Sequence, residues 1–289
     1  MTPVPQAGRV RLTPFARISQ TAAVSAADLF DLTGKVGVVT GANSGLGFGF
    51  ASGIAKCGGD VVVWGRRADR NDEAAEQLRA MGAPRVHCAT VDVSDEAQVV
   101  RGMAEALEVM GRVDGVVANA GFVSQSPMHE MTTETYQDML ATAQHGGFWT
   151  VREGVKHMVE RAEAGDPGGS VIACGSLTTF MGHANMVHYG AAKGAMAAIM
   201  RSLAVEGGKH GIRANTVCAG LFRNGPMMAA PEGALAGMDQ VMEDKNPVPR
   251  MGRPADLEGI TAYLMSDVSA YHTGDTIVID GGQSLLTLI

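Results

Sequence analysis

The chain has 289 residues, with 46% hydrophobic and 18% charged residues, 38 glycines and a formal net charge of -7. A chain of this length and apolar content can bury one large core, and the many glycines indicate tight turns rather than disorder. The negative charge disfavours nucleic acid as a partner, because that affinity comes mainly from Lys and Arg that neutralise backbone phosphates.

Cysteine spacing and apolar runs indicate the compartment. Cys57, Cys88, Cys174 and Cys218 stand far apart and form no C-x-x-C pair. The sequence therefore favours neither a disulfide framework nor a thiolate metal site. The longest apolar runs have the length of a strand and are too short for a membrane span. We expect a cytoplasmic protein without membrane contact.

The N-terminal segment differs from the rest of the chain. Residues 1–27 carry three arginines and no acidic residue, as organelle transit peptides do, but lack the apolar stretch of a secretory signal. We interpret residues 1–31 as a flexible or subunit-contacting arm and residues 32–289 as one domain.

From Lys35 onward, short β-branched runs alternate with segments of helical period, which predicts repeated βαβ units. We expect an α/β fold: a single Rossmann-type, doubly wound domain with a seven-stranded parallel sheet and helices on both faces. The strand candidates are Val36–Thr40, Asp60–Trp64, Arg85–Val91, Gly115–Ala118, Ser170–Cys174, Arg213–Val217 and Thr276–Ile279. Helices are expected near 45–57, 69–81, 95–110, 133–161, 187–207 and 254–266, with Ser94 and Thr132 among the N-cap candidates.

One long stretch breaks this alternation. Residues 219–250 contain four prolines and four methionines and no clear strand. A long irregular stretch inside a compact domain is usually a functional lid or binding loop.

A glycine-rich turn follows the first predicted strand and precedes a helix. Glycines there permit a sharp turn, and the backbone N–H groups at the helix N-terminus can approach a pyrophosphate. The spacing G-x-x-x-G-x-G departs from the fingerprint G-x-G-x-x-G, so the turn alone is a weak sign of dinucleotide binding. The expected cofactor contacts in this turn are Gly41, Asn43, Ser44, Gly45, Leu46 and Gly47.

Two further segments lie where ligands of open α/β sheets bind. The second strand ends before Arg66 and Arg67, which can pair with the 2′-phosphate of NADP, whereas NAD would call for an acidic residue there. We therefore expect NADP, with NAD as the alternative; the competing interpretation is a solvated arginine pair. The carboxyl ends of the third and fourth strands add Asp92, Val93, Asn119, Ala120 and Gly121 as expected cofactor contacts.

The candidate catalytic group follows the fifth strand. Ser176 ends that strand, and Tyr189 and Lys193 stand four residues apart on a predicted helix, so both side chains can point to one site. A nearby ammonium favours the phenolate form of a tyrosine, which suits Tyr189 to proton transfer. Ser176 can hydrogen-bond the same substrate oxygen.

In combination and order, these motifs resemble the short-chain dehydrogenase/reductase family from Leu32 to Gly282. The resemblance implies a Ser176-Tyr189-Lys193 catalytic set, with Lys193 also holding the nicotinamide ribose, Tyr189 also a cofactor contact and Asp92 near the adenine. It further implies cofactor contacts at Gly220 and Phe222, a substrate-binding loop at about 219–250 and a homotetramer. The motifs are Thr40-Gly41-x-x-x-Gly45-x-Gly47, Asp92, Asn119-Ala120-Gly121, Ser176, Tyr189-x-x-x-Lys193, Gly211-Ile212-Arg213-Ala214-Asn215 and Asp280-Gly281-Gly282.

The chain departs from the family pattern in three places. Ala143 occupies the slot of an Asn that supports a proton-relay water, and Gln144 or His145 are the candidates to replace it. Ala219 and Asn224 replace a Pro and a Thr after the sixth strand, although Asn can still donate and accept. Ala118 replaces the first Asn of Asn-Asn-Ala-Gly.

Apolar and soft side chains predominate among the residues expected at the substrate, which suits a moderately hydrophobic ketone or alcohol. His183 and His188 lack a third ligand, so we expect no metal site. The expected substrate contacts are Phe122, Met181, His183 and Met227, with Phe180, Met186, His188, Phe222 and Met228 nearby.

The sequence thus predicts an NAD(P)-dependent oxidoreductase, a short-chain alcohol dehydrogenase or carbonyl reductase, that moves a hydride between a nicotinamide and a ketone or secondary alcohol. One alternative is a catalytically weak dinucleotide-binding regulatory protein. The other is an isomerase or dehydratase that regenerates its cofactor within each cycle.

Overall fold

A computed structural model describes residues 28–223 and 236–285 of the chain. Its centre is one seven-stranded sheet in the order β3-β2-β1-β4-β5-β6-β7, with every neighbouring pair parallel. The strands are β1 Val36–Thr40, β2 Asp60–Gly65, β3 Val86–Thr90, β4 Gly115–Ala118, β5 Gly169–Ser176, β6 Ile212–Ala219 and β7 Thr276–Ile279.

The strands at the centre of the sheet are apolar along their whole length because helices cover both faces. Every residue of β1, β2 and β4 is buried. The helices are α1 Gly45–Lys56, α2 Ala68–Met81, α3 Glu96–Met110, α4 Thr133–Leu140, α5 Gly146–Glu163, α6 Val187–Gly207, α7 Ala236–Lys245 and α8 Glu258–Met265.

Two apolar clusters separate the helices into layers. Helices α3, α5 and α6 contribute side chains such as Met103, Met158 and Met200 to one cluster. Helices α1, α2 and α8 contribute Phe50, Leu78 and others to the second, on the opposite face. The predicted doubly wound α/β fold is therefore confirmed.

The direction in which strands are added to the sheet reverses between β1 and β4. From β1 the chain adds β2 and β3 on one side, and from β4 it adds β5, β6 and β7 on the other. Ligands of open α/β sheets bind at such a switch point, outside the carboxyl ends of the strands. This topology places the glycine-rich turn after β1 next to the segment after β4.

Some predicted boundaries were wrong. The expected helix over 133–161 is two helices joined by a π-helical segment, Ala141–His145. Such segments occur as single turns inside α-helices, and no residue of this one marks it in the sequence. The expected helix over 254–266 begins as a 3-10 turn, Pro254–Leu257. Within the stretch 219–250, which we expected to be irregular, Ala236–Lys245 forms α7.

One of the two named caps was also wrong. The N-cap of α3 is Asp95, whose carboxylate accepts hydrogen bonds from the backbone N of Ala97 and Gln98, and not Ser94. Thr132 does cap α4, accepting from the backbone N of Thr135 at 3.1 Å.

At the start of the described chain, Asp28–Phe30 forms a 3-10 turn, and Leu32 is fully buried in the core. The described residues contain no helix that is both long enough and apolar enough to cross a membrane.

Candidate active site

The turn between β1 and α1 is built from glycines. Gly41 and Gly45 have φ angles of 66° and 56°, in the region that disfavours other residues. A Cβ on Gly47 would lie 2.1 Å from the backbone oxygen of Gly41 and 2.5 Å from Nδ2 of Asn119. Only glycine fits there, because α1 approaches the ends of β1 and β4 at backbone distance.

The N-terminus of α1 is open to an anion. Ser44 is the N-cap residue, but its side chain makes no capping hydrogen bond and the first turn holds no acidic residue. The first backbone N–H groups of a helix have no partner within the helix, and they carry partial positive charge. Together with the glycine turn, this helix end fits the pyrophosphate of a dinucleotide.

Thr40 joins the two strand ends at the switch point. Its Oγ1 accepts hydrogen bonds of 2.9 Å from the backbone N of both Asn119 and Ala120. In return, Nδ2 of Asn119 donates to the backbone oxygen of Thr40 at 2.9 Å. Asn119 therefore acts mainly on the shape of the crevice, and the linking role of Thr40 is one that the sequence did not reveal.

The side chain of Asn43 faces the protein. Its Nδ2 donates to Oδ1 of Asn71 at 2.7 Å, so the amide is engaged within the fold. Asn71 was not among the predicted site residues, because a single Asn on a polar helix has no distinguishing pattern.

The arginines after β2 are exposed, and the side chains of Arg66 and Arg67 make no hydrogen bond or ion pair within the described part of the chain. Across the crevice, Oδ1 of Asp92 accepts from the backbone N and Oγ of Ser94, at 3.0 and 2.7 Å. This bond fixes the turn after β3. Val93 packs so closely that a Cβ on Gly146 would lie 2.7 Å from its backbone oxygen.

Lys193 is 4% exposed and lies beneath Tyr189, with Nζ 5.7 Å from the centre of the tyrosine ring. Its Nζ donates to the backbone oxygen of Cys174 at 2.6 Å. Burial opposes the charge, but the coulombic interaction with Tyr189 and, after it, with two buried thiols raises the pKa of Lys193 above its ordinary value. The group is therefore an ammonium at neutral pH.

Other expected site residues surround this pair. A Cβ on Gly121 would lie 3.9 Å from Nζ of Lys193, so the end of β4 lies beside the ammonium. Ser176 ends β5, and its Oγ accepts from the backbone N of Thr178 at 3.3 Å. Helix α6 packs on this turn, since a Cβ on Gly190 would lie 3.5 Å from the oxygen of Thr178.

The surroundings of Ala143 are apolar. It is 4% exposed in the π-helical segment and packs with Met139, Ala192 and the partly buried Tyr189. His145 is exposed and lies against the ring of Trp149 at 5.8 Å.

Several of the expected substrate residues are exposed at the protein surface. Phe122 is 43% exposed, His183 is exposed and Met181 is half-buried, whereas Met227 lies outside the described residues. The exposed apolar side chains Val123, Phe180 and Val187 come from the same two segments.

The structure corrects the expected positions of the Phe222 and His188 side chains and shows what surrounds Gly220. Phe222 is 3% exposed and its ring packs against Gly252, so only its backbone is available to a cofactor. Gly220 is packed against Asp280. His188 is fully buried, with Nε2 2.8 Å from Oγ of Ser124, and does not face the substrate side.

Comparison with known proteins agrees with this geometry. A family model described as enoyl-(acyl carrier protein) reductase matches residues 41–284. L-rhamnose 1-dehydrogenase (NAD(P)(+)) of Sphingomonas sp. (strain SKA58) is 32% identical over 87% of this chain and 97% of its own. The NADP-dependent (R)-specific alcohol dehydrogenase of Lentilactobacillus kefiri is 33% identical over 88% of this chain and 98% of its own.

Solved structures match over nearly the same region. A short-chain type dehydrogenase/reductase from Mycobacterium marinum is 33% identical with a TM-score of 0.81, over 90% of this chain and 99% of that one. A gluconate 5-dehydrogenase from Burkholderia cenocepacia J2315, solved with NADP and tartrate, is 25% identical with a TM-score of 0.81, over 91% of this chain and all of that one. The chain belongs to the short-chain dehydrogenase/reductase family of NAD(P)-dependent oxidoreductases.

Proposed function

We propose that the chain is an NADP-preferring carbonyl reductase or secondary-alcohol dehydrogenase in which Tyr189 donates and accepts the proton. The observation that carries this proposal is the buried ammonium of Lys193, 5.7 Å from the ring centre of Tyr189 and beside the end of β4. A buried cation next to a half-buried phenol has a chemical use in proton transfer, and it has little value as packing alone.

The cofactor is proposed to lie across the switch point. The glycine turn and the start of α1 hold its phosphates, Arg66 its 2′-phosphate and the segment after β3 its adenine. When bound, the nicotinamide supplies or receives the hydride. The proposed contacts are Gly41, Asn43, Ser44, Gly45, Leu46, Gly47, Arg66, Asp92, Val93, Asn119, Ala120, Gly121, Tyr189, Lys193, Gly220 and the backbone of Phe222.

The proton has a direct route in this proposal. In reduction, the hydroxyl of Tyr189 gives its proton to the carbonyl oxygen, and in oxidation it takes the proton back. Ser176 donates a hydrogen bond to the same oxygen and holds the carbonyl in place. The ammonium of Lys193, 5.7 Å from the ring centre, interacts favourably with negative charge that develops on the phenol oxygen during the transfer.

The preference for NADP rests on charge. Arg66 is exposed directly after β2, where an arginine can form a charge-assisted pair with a phosphate. The similar alcohol dehydrogenase of Lentilactobacillus kefiri is NADP-dependent by name.

The proposed substrate is a moderately hydrophobic ketone. Its expected contacts are Phe122, Met181, His183 and Met227, with the last in a substrate loop at about 219–250. The exposed apolar rim formed by Val123, Phe180 and Val187 favours an apolar substituent.

We further propose a homo-oligomer, with a tetramer as the expected form. Helices α5 and α6 border an apolar groove of about 720 Å³, and Phe148 on its edge is 41% exposed. A second copy of this face would bury these side chains. Light scattering after gel filtration measures the mass; a monomer at micromolar concentration would contradict this part.

We also propose a cytoplasmic location. The free thiols of all four cysteines suit the reducing cytoplasm.

The test of the proposed function is oxidation of NADPH and NADH, followed by nicotinamide absorbance, against a panel of aliphatic and aryl ketones and keto acids. We expect Tyr189→Phe to lower kcat/KM by about 100-fold or more, as loss of a general acid does. The matched control is Tyr271→Phe, because Tyr271 is fully exposed. Equal rates for Tyr189→Phe and wild type would refute the mechanism.

The same assay separates the alternatives. A regulatory dinucleotide-binding protein would bind NADPH without turning over any ketone. An isomerase or dehydratase would convert its substrate without net consumption of NADPH.

A further inference from the structure

Asn71 is a buried amide at the adenosine end of the crevice. It is 1% exposed, although it lies on α2, a helix whose other polar residues face solvent. Its Nδ2 donates to the backbone oxygens of Gly65 and Ala89, at 3.0 and 3.2 Å, and its Oδ1 accepts from Asn43 at 2.7 Å. Both amide hydrogens and the oxygen are used, so the group is satisfied in full.

Each partner of Asn71 belongs to a segment that we propose to touch the cofactor. Asn43 lies in the glycine-rich turn that holds the phosphates. Gly65 is the last residue of β2 and directly precedes Arg66, and Ala89 lies in β3, which leads to Asp92. The side chain of Asn71 therefore links the three segments that we propose to surround the adenosine. It is buried beneath them and does not itself face the crevice.

The fit around this amide is close. A Cβ on Gly65 would lie 2.3 Å from Nδ2 of Asn43 and 2.5 Å from Oδ1 of Asn71, so the two amides pack directly on the backbone at the end of β2. The backbone of Asn71 is fixed as well, because its oxygen accepts a hydrogen bond of 3.3 Å from the thiol of Cys88. The link between turn and strand end is rigid because both of its ends are anchored.

We propose that Asn71 is a positioning residue that sets the distance between the phosphate-binding turn and Arg66, and so determines the affinity for a dinucleotide with a 2′-phosphate. The proposal rests on the proposed cofactor site. A bound NADP spans both segments, so a shift of one relative to the other weakens its contacts without any change in a contacting residue. NAD lacks the 2′-phosphate and depends less on the place of Arg66.

The test uses Asn71→Leu in the full chain, since leucine has a similar volume and none of the three hydrogen bonds. We expect the Kd for NADPH, measured by nicotinamide fluorescence, to rise about tenfold, which corresponds to about 1.4 kcal/mol. The Kd for NADH should rise less than about threefold, and kcat at saturating NADPH should stay within about twofold. A residue that serves stability alone would lower the melting temperature and leave the ratio of the two Kd values unchanged.

Asn43→Ala tests the same link from its half-buried side, and it removes the hydrogen bond to Asn71 without opening the core. Asn43 is itself a proposed contact of the phosphates that NADPH and NADH share, so the readout is the ratio of the two Kd values. Loss of the link should raise the Kd for NADPH more than the Kd for NADH. Asn43→Ala/Asn71→Leu should bind NADPH about as well as either single variant, because both substitutions break one link. Additive effects of the two substitutions would count against the proposal.

The matched control is Asn215→Leu. Asn215 is fully buried, and its amide also bridges two backbone groups, the oxygen of His272 and the nitrogen of Asp275, at 3.1 and 3.0 Å. Those groups precede β7, away from the carboxyl ends of the strands. We expect a lower melting temperature and unchanged Kd values for both cofactors.

The outcomes separate the two proposals. If wild type binds NADPH but folded Asn71→Leu binds it equally well, the role of Asn71 is overturned and the proposed function stands. If Asn71→Leu does not fold, the ratio of the NADPH and NADH Kd values of Asn43→Ala decides, and a ratio equal to that of wild type overturns the inference. Wild type that binds neither NADPH nor NADH would overturn the proposed function and this inference together.

Discussion

Nζ of Lys193 on α6 donates a hydrogen bond of 2.6 Å to the backbone oxygen of Cys174 on β5. This bond fixes the ammonium between the catalytic helix and the sheet, two residues before the end of the strand at Ser176. The side chain is thereby held at the crevice before any ligand binds. Preorganised charge of this kind needs no rearrangement when charge develops on a neighbouring oxygen.

We expect Lys193→Met to lower kcat/KM by about 100-fold or more, because the tyrosine loses the cation that favours its ionised form. Lys193→Arg should recover only part of this loss, since a planar guanidinium does not fit a site shaped for an ammonium. Steady-state assays against the best ketone measure both effects. The control is Lys209→Met, at an exposed lysine in the turn after α6, which should match wild type.

The stability that the charge of Lys193 contributes depends on pH with a definite sign. Burial, the largest single effect, lowers the pKa of Lys193, but the interactions with Tyr189 and two buried thiols outweigh it, so the pKa is raised in the folded protein. The charge of Lys193 is therefore fully present below the pKa of an unfolded lysine, about 10.4, and is lost only as the pH rises through the higher pKa of the folded protein. The difference in melting temperature between wild type and Lys193→Met should therefore stay constant from about pH 6 to pH 9. A difference that changes steeply within this range would contradict the charged state of Lys193.

Gly47→Ala should abolish cofactor binding. The new Cβ would lie 2.1 Å from the oxygen of Gly41, so the turn must open by moving backbone rather than a flexible side chain. Overpacking of this kind costs about 1–3 kcal/mol of stability. Titration with NADPH and thermal unfolding measure the two effects.

The control for Gly47→Ala is Gly259→Ala on α8, where a Cβ meets no atom within 4 Å. Alanine there should stabilise the helix by about 0.5–1 kcal/mol and leave NADPH binding unchanged. Normal NADPH affinity in Gly47→Ala would show that the turn does not hold the phosphates.

Sequence was sufficient for the parts of the fold that depend on local pattern. The bounds of β1 agree because Val36–Thr40 is a valine-rich run that ends before Gly41. The strand candidate Ser170–Cys174 was shorter than β5, because Gly169 and Gly175 are kept in the ladder by their register with Ile212 and Cys218 on β6. Register with a neighbouring strand is a property of two segments, and one segment's composition does not contain it.

The candidate site divides in the same way. Tyr189 and Lys193 could be paired from sequence because residues four apart share a helix face. The hydrogen bonds of Asn71 could not be predicted from the sequence, because its partners lie on β2, β3 and the turn after β1, far apart in the chain. Phe222 was expected to contact the cofactor, but its ring is buried against Gly252, 30 residues later in the chain.

Arg66→Ala should change cofactor preference. We expect the Kd for NADPH to rise about tenfold or more, since an exposed charge-assisted pair with a phosphate is lost, while the Kd for NADH stays within about twofold. The control is Arg70→Ala on α2, where the guanidinium pairs with Glu73 at 2.9 Å and faces solvent. If Arg66→Ala keeps the wild-type preference, a different group reads the 2′-phosphate.

Ser124→Ala should destabilise the protein by about 1–3 kcal/mol, because it removes the partner of a buried imidazole nitrogen. His188 is fully buried with Nε2 2.8 Å from Oγ of Ser124, and its Nδ1 has no partner among the described residues. In Ser124→Ala/His188→Leu both polar groups are gone, so much of the stability should return.

The hydrogen bond between Ser124 and His188 also ties the segment after β4 to α6, one residue before Tyr189. We therefore expect KM for the ketone to rise in Ser124→Ala. Chemical denaturation and steady-state kinetics check both effects; a double variant no more stable than Ser124→Ala would show that the imidazole, and not its hydrogen bond, supports the fold.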